Sequence, residues 1–156
     1  VASAKPAVGK KIGAFKATTT AGALTSKDLA GRPYVLYFYP KDDTPGCTVE
    51  GHAFRDQHTA FERLAVRVIG VSRDSLASHE KFRSKHRLPF ELIADVDETL
   101  CGQFDVIRDK NMYGKKVRGI ERSTFLVDSD GVLRREWRKV KVDGHVAEVL
   151  EAAKGL

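Results

Sequence analysis

The chain of 156 residues has two cysteines. One of them, Cys47, stands in the stretch PKDDTPGCTVEGH, residues 40–52. Thr44 is a good helix N-cap and Pro45 a good first helical residue. Cys47 then falls in the first turn, where backbone N–H groups lack partners and the helix dipole favours negative charge. A thiolate is such a charge, and it is the reactive form of cysteine. The Thr44 hydroxyl is three residues away and can turn towards the sulfur, and Gly46 offers no side chain to block approach. The pattern points to a thiol nucleophile. The bland alternative is a buried, inert cysteine packed under the helix.

Other chemistries have less support. Two cysteines without Cys-x-x-Cys or a His-x-x-x-His partner make a poor zinc site. The five histidines show no convergent spacing, and Asp42-Asp43 and Asp95/Asp97/Glu98 lack an EF-hand arrangement, so no metal is expected. Apolar residues make up 42% and charged residues 31%, a globular composition. No apolar run reaches bilayer length. The first residues, VASAKPAVGKKIGAF, show no apolar h-region. A reducing, cytoplasmic setting is therefore expected, in which a special cysteine is catalytic before it is structural. The net charge is +6. Its clusters, RREWRKVK at 134–141 and KKVR at 115–118, read first as solvated faces and second as an anion-binding surface. A basic module for nucleic acid would need aromatic residues interleaved with the cations, and none are seen, so no nucleic-acid partner is expected.

The elements that must position Cys47 follow from periodicity. Phe15–Thr18 and Ala23–Thr25 flank Ala21-Gly22 as a small N-terminal hairpin. YVLYFY, residues 34–39, is a strand buried on both faces, ended by Pro40. Ala53, Phe54, His58, Phe61 and Leu64/Ala65 fall at helical spacing, so one helix is expected to run to that point. VRVIGV, residues 66–71, is a second buried strand. Ser72–Leu88 holds a helix with Leu76, His79, Phe82 and His86 along one side, stopped by Pro89. Phe90–Ala94 is a short strand and Glu98–Phe104 a short helix. Ile120–Asp128 and Val132–Val140 form a hairpin around Asp130-Gly131, and Val146–Ala153 is a closing helix. The order β-α-β-α-β-α-β-β-α implies an α/β fold with helices on a mixed sheet. Sites in such sheets form at the carboxyl ends of the buried strands, which is where Cys47 lies.

The stretch YFYPKDDTPGCTVEGHAFRD resembles the active-site segment of the peroxiredoxins and is especially similar to the peroxiredoxin Q group, also called bacterioferritin comigratory proteins. Its pattern Pro-x-x-x-Thr-x-x-Cys is present as Pro40, Thr44 and Cys47. GIERSTFLVDSDG supplies the arginine of a later strand as Arg122, and VIGVSRDS, DETLCGQFDV and KNMYGK extend the likeness over nearly the whole chain. The resemblance implies a thioredoxin-like fold with a mixed central sheet, one domain over residues 1–156, and a thiol peroxidase needing no metal, haem or nucleotide. Cys47 would attack a hydroperoxide and become a sulfenic acid. Arg122 would hold the thiolate and polarise the peroxide. Thr44 would position sulfur and peroxide, Pro40 would shield the pocket, and the N–H groups of Gly46 and Cys47 would stabilise developing charge. Taken locally, Arg122 reads instead as a strand arginine tied to Glu121 or Asp128. Glu50 is either a contact of Arg122 or Arg55 or simply an acid near a helix start. Tyr39 either lines the pocket or belongs to the core.

The chain departs from the pattern at its second cysteine. Where many peroxiredoxin Q proteins carry a resolving cysteine, this chain has His52, and at the alternative place it has Arg83. Cys101 is the remaining candidate, but in ETLCGQFDV it reads as core beside Leu100 and Phe104. His52 reads as a helix-surface histidine. A one-cysteine cycle is therefore expected, with thioredoxin or glutaredoxin and glutathione as reductant and a monomeric protein. The alternatives are a two-cysteine cycle through Cys101 or a thioredoxin-like disulfide reductase. Thr44, standing where the latter needs its first cysteine, argues against it.

Overall fold

The β-branched and aromatic run Tyr34–Phe38 forms β3, every residue of it buried, at the centre of a seven-stranded sheet. The computed structural model describes residues 5–156. The sheet has the order β2-β1-β5-β4-β3-β8-β9, with β1 Lys16–Thr19, β2 Gly22–Thr25, β4 Arg67–Ser72, β5 Glu91–Ala94, β8 Ser123–Val127 and β9 Leu133–Trp137. Strands β3, β4 and β5 are parallel, and β8 and β1 run antiparallel to their neighbours β3 and β5. The mixed α/β architecture is the one expected. A parallel pair needs a crossover, and helices α1 Pro45–Asp56 and α2 His58–Arg63 supply it between β3 and β4. Helix α3 Leu76–His86 does the same between β4 and β5. Helix α4 Thr99–Gln103 follows β5, and α5 His145–Lys154 ends the chain.

Alternation along β3 divides the core in two. Tyr34, Leu36 and Phe38 join Ile69, Val71, Phe125, Cys101 and Phe104 in one cluster. Val35, Tyr37 and Tyr39 join Cys47, Phe54, Phe61, Phe82 and Leu92 in the other. The sheet therefore separates the two cysteines.

Three local expectations are corrected. The helix expected from the Phe54–Phe61 period breaks at Gln57 (φ −98°, ψ 5°), where its backbone N–H still reaches Ala53 O and α2 begins. The apolar period runs through that break, which is why it leaves no sequence signal. Helix α3 begins at Leu76 rather than Ser72, because β4 extends to Ser72 and the Ser75 hydroxyl caps the helix by accepting from Ser78 N at 3.1 Å. The stretch between Phe104 and Ile120, to which periodicity assigns nothing, forms a second hairpin of β6 Ile107–Met112 and β7 Lys115–Ile120. Its turn residues Tyr113 and Gly114 have φ of 53° and 79°, and β7 is exposed along most of its length. With no buried face there is no alternation to detect. Among the described residues no helix is long and apolar enough to cross a membrane.

Candidate active site

Thr44 has extended dihedrals (φ −91°, ψ 156°) and is followed by Pro45, so α1 starts as the residue types require. Its carbonyl accepts from Thr48 N at 2.9 Å. Cys47 sits in the first turn, buried at 2% exposure. Strand β8 pairs with β3 with Ser123 opposite Phe38, which delivers Arg122 to the same end of the sheet. Arg122 Nη2 donates to Cys47 Sγ at 3.3 Å and Nη1 to Glu50 Oε1 at 2.5 Å. The guanidinium thus spans sulfur and carboxylate, and it pairs with neither Glu121 nor Asp128 among the described residues.

Glu50 is fully buried and its second oxygen has no hydrogen-bond partner. Burial raises its pKa to about 7 against the opposing pull of Arg122. At Arg122 burial acts downward, but Glu50 and the Cys47 sulfur outweigh it and hold the guanidinium above its usual value. Gly46 leaves room for this approach: a Cβ there would lie 3.1 Å from Arg122 Nη2 and press on the guanidinium. Pro40, half-buried at the end of β3, and Arg122 both line an open depression of about 640 Å³.

Thr44 stands differently from expectation, and for Tyr39 the structure decides between the two readings. The Thr44 hydroxyl does not turn to the sulfur; it donates to Lys41 O at 2.9 Å, so its oxygen faces any further partner only as an acceptor. Tyr39 is core and does not line the depression beside Arg122. Its hydroxyl donates to Asp42 Oδ1 at 2.6 Å. Asp42 also accepts from Ser78 Oγ at 2.8 Å and meets His79 Nδ1 at 2.7 Å, while its own N–H donates to Asp74 at 2.9 Å. The other His79 nitrogen meets Ile93 O at 2.8 Å. This buried group, which the sequence reading missed, ties the 40–44 loop to α3 and to β5. Its one signal was His79 on the apolar side of α3, a place where an imidazole must find polar partners. The donor atoms of Asp42, Asp74 and His79 lie within 4.8 Å of one another, as metal ligands can, but hydrogen bonds within the protein already engage all three residues.

Neither place where a resolving cysteine was expected carries thiol chemistry. His52 Nε2 lies 2.9 Å from His86 Nδ1, and Arg83 Nε donates to Phe90 O at 3.0 Å. Cys101 is fully buried beneath the opposite face of the sheet. Its N–H donates to Asp95 Oδ2 at 2.7 Å, and burial together with Asp95 pushes its thiol far above the usual value.

The AhpC/TSA family profile matches residues 8–136. The chain is 51% identical to the putative peroxiredoxin bcp of Coxiella burnetii over 92% of this chain and 95% of that protein. It is similar to the solved Xanthomonas campestris peroxiredoxin Q, with a TM-score of 0.86 and 48% identity over 90% of each chain. A crystal structure of a mutant Xylella fastidiosa PrxQ superposes with a TM-score of 0.92 at 40% identity, covering 97% of this chain and 98% of that one. With a helix-start thiol held by a buried arginine on a thioredoxin-like sheet, the chain belongs to the AhpC/TSA family, as a peroxiredoxin of the Bcp/PrxQ group of thiol-dependent peroxidases.

Proposed function

We propose that the chain, as one thioredoxin-like domain in a reducing cytoplasm, reduces hydrogen peroxide and organic hydroperoxides by a one-cysteine cycle. The Cys47 thiolate attacks the terminal peroxide oxygen and the O–O bond breaks. The attacked oxygen keeps its hydrogen and becomes the sulfenic acid of Cys47, and the leaving hydroxide or alkoxide takes a proton from solvent and departs as water or an alcohol. Arg122 holds the sulfur in place through its 3.3 Å contact and donates to the peroxide oxygens. Thr44, its own hydrogen committed to Lys41 O, accepts from the hydroperoxide O–H and so orients it. The N–H groups of Gly46 and Cys47 face the charge developing on the leaving oxygen. Pro40 limits water at the mouth. An external thiol, from thioredoxin or from glutaredoxin with glutathione, then restores Cys47.

One observation carries the one-cysteine reading: Cys47 and Cys101 lie in different core clusters on opposite faces of the sheet. A disulfide requires Cα atoms within roughly 7 Å. Joining these two would demand that α4 leave its core. The test is non-reducing intact mass after one equivalent of hydrogen peroxide, with a sulfenic-acid trap present. A single trapped adduct on Cys47 with Cys101 free is expected. An intramolecular disulfide without adduct would overturn the one-cysteine cycle and install Cys101 as the resolving thiol.

A further inference from the structure

The wall of the active site that faces outward is cationic, and the peroxide step does not explain why. The depression that Pro40 and Arg122 line is also lined by Arg108, Lys110 and Lys139, with Glu121 and Asp109 as the opposing acids, and Arg122 links it to the Cys47 sulfur 3.3 Å from Nη2. Backbone pairing brings Lys139 and the start of β6 next to Arg122, and Lys110 lies further along that strand. Val140 N donates to Arg122 O at 3.0 Å, and Lys139 precedes it in a left-handed conformation at φ 50°. Arg108 and Lys110 belong to β6, whose ladder with β7 closes at Ile107 opposite Ile120, just before Arg122. Arg108 is shared between Asp105 at 3.2 Å and Glu121 at 3.9 Å. Lys110 and Lys139 are exposed and form no ion pair among the described residues. A concave site lined by one dominant sign concentrates ions of the other. Hydrogen peroxide is uncharged, so Arg108, Lys110 and Lys139 do not concentrate it. The second substrate can gain from these cations. With no resolving cysteine in reach, that substrate must bring its own sulfur to Cys47.

We infer that this depression seats the carboxylate of a small anionic thiol, which reduces the Cys47 sulfenic acid; the inference rests on the one-cysteine cycle proposed above. Its volume, about 640 Å³, suits a molecule of di- or tripeptide size. The carboxylate sits on Lys110 and Lys139, and the thiol end reaches past Pro40 and Arg122 to the sulfur. The incoming thiolate attacks the Cys47 sulfur, the S–S bond forms and the S–O bond breaks. The oxygen leaves with its hydrogen and the proton released by the thiol, as water. A second thiol then attacks the incoming sulfur of this mixed disulfide and releases Cys47 as a thiolate. Two thiols are oxidised to one disulfide as one hydroperoxide is reduced.

The test compares N-acetyl-cysteinylglycine with its C-terminal amide, which are nearly isosteric, of dipeptide size, and differ by one charge. Cys47 is first oxidised with one equivalent of hydrogen peroxide. Quenched-flow intact mass then gives the rate of mixed-disulfide formation per thiolate. At low ionic strength the acid should react about tenfold faster than the amide, within the range of electrostatic steering. The ratio should approach unity at about 0.5 M salt, where screening is nearly complete. In the double variant Lys110→Glu/Lys139→Glu the ratio should fall to one or below. Equal rates for acid and amide, or a preference that survives in the double variant, would overturn the subsite. A charge preference confined to the first step, seen with carboxylate-bearing against neutral hydroperoxides, would reassign it to the oxidant and overturn the thiol assignment. Failure to form any sulfenic acid at Cys47 would count against the peroxidase reading itself, which separates the two failures.

Discussion

Glu50 is held between two opposing influences. Full burial with one unpartnered oxygen favours the neutral acid, whereas the 2.5 Å bond from Arg122 favours the carboxylate. Burial wins, and the folded-state pKa lies near 7 against an ordinary 4.5. A raised folded-state value means that folding binds a proton between those limits. The stabilisation is complete below about pH 4.5 and is lost as pH rises through 7. Glu50→Gln keeps an acceptor for Arg122 and removes the titration. The stability of the parent relative to this variant should therefore fall between pH 4.5 and 8, by at most about 3 kcal/mol at 1.36 per pH unit. Urea melts of both proteins at the two ends would show it, and parallel profiles would refute it. Cys47 and the N-cap Thr44 were legible because a helix start follows local rules. Arg122 was not legible alone: it lies 75 residues from Cys47, and only the resemblance singled it out. The Glu50 contact was one of two that sequence left open, because direction from a helix surface depends on what packs opposite.

At the scale of elements, the site depends on how closely β4 lies beneath Tyr37. Gly70 stands opposite Tyr37 in the parallel ladder. A Cβ there would meet Leu92 Cδ2 at 2.8 Å and Tyr37 Cζ at 2.9 Å. Neither neighbour can retreat easily. Tyr37 is fully buried and stacks on Phe54 of α1 with ring centroids 4.4 Å apart. Pushing it outward presses on the helix that carries Cys47. Gly70→Ala should therefore cost about 1–3 kcal/mol, as overpacking does. It should lower the urea midpoint with little change in slope, and an unchanged midpoint would show that the ring yields freely. VRVIGV announces a strand plainly, but why its fifth residue is glycine appears only once the ring above it is known. The same limit explains β6–β7. Periodicity detects an element through the face it buries, and this hairpin buries almost none.

For the whole molecule, the sheet keeps Cys47 apart from Cys101. Cys47 lies in the first turn of α1, its sulfur 3.3 Å from Arg122 Nη2. Cys101 lies under the other face with Phe38, Phe104 and Phe125, at zero exposure, its backbone N–H bound to Asp95. Burial and Asp95 both disfavour its thiolate, so chemistry there requires opening of that core. Local fraying of α1 would expose Cys47 and leave the Cys101 cluster closed, because the two share no cluster. Alkylation by iodoacetamide should consequently label Cys47 in the native protein while Cys101 stays protected by about a thousandfold or more, the lower end of folding equilibria for small domains. Cys101 labelling should rise with urea along the global unfolding curve. Labelling that rose well before that curve would reveal a separate opening of α4, and a core able to open alone would bring Cys101 within reach of Cys47.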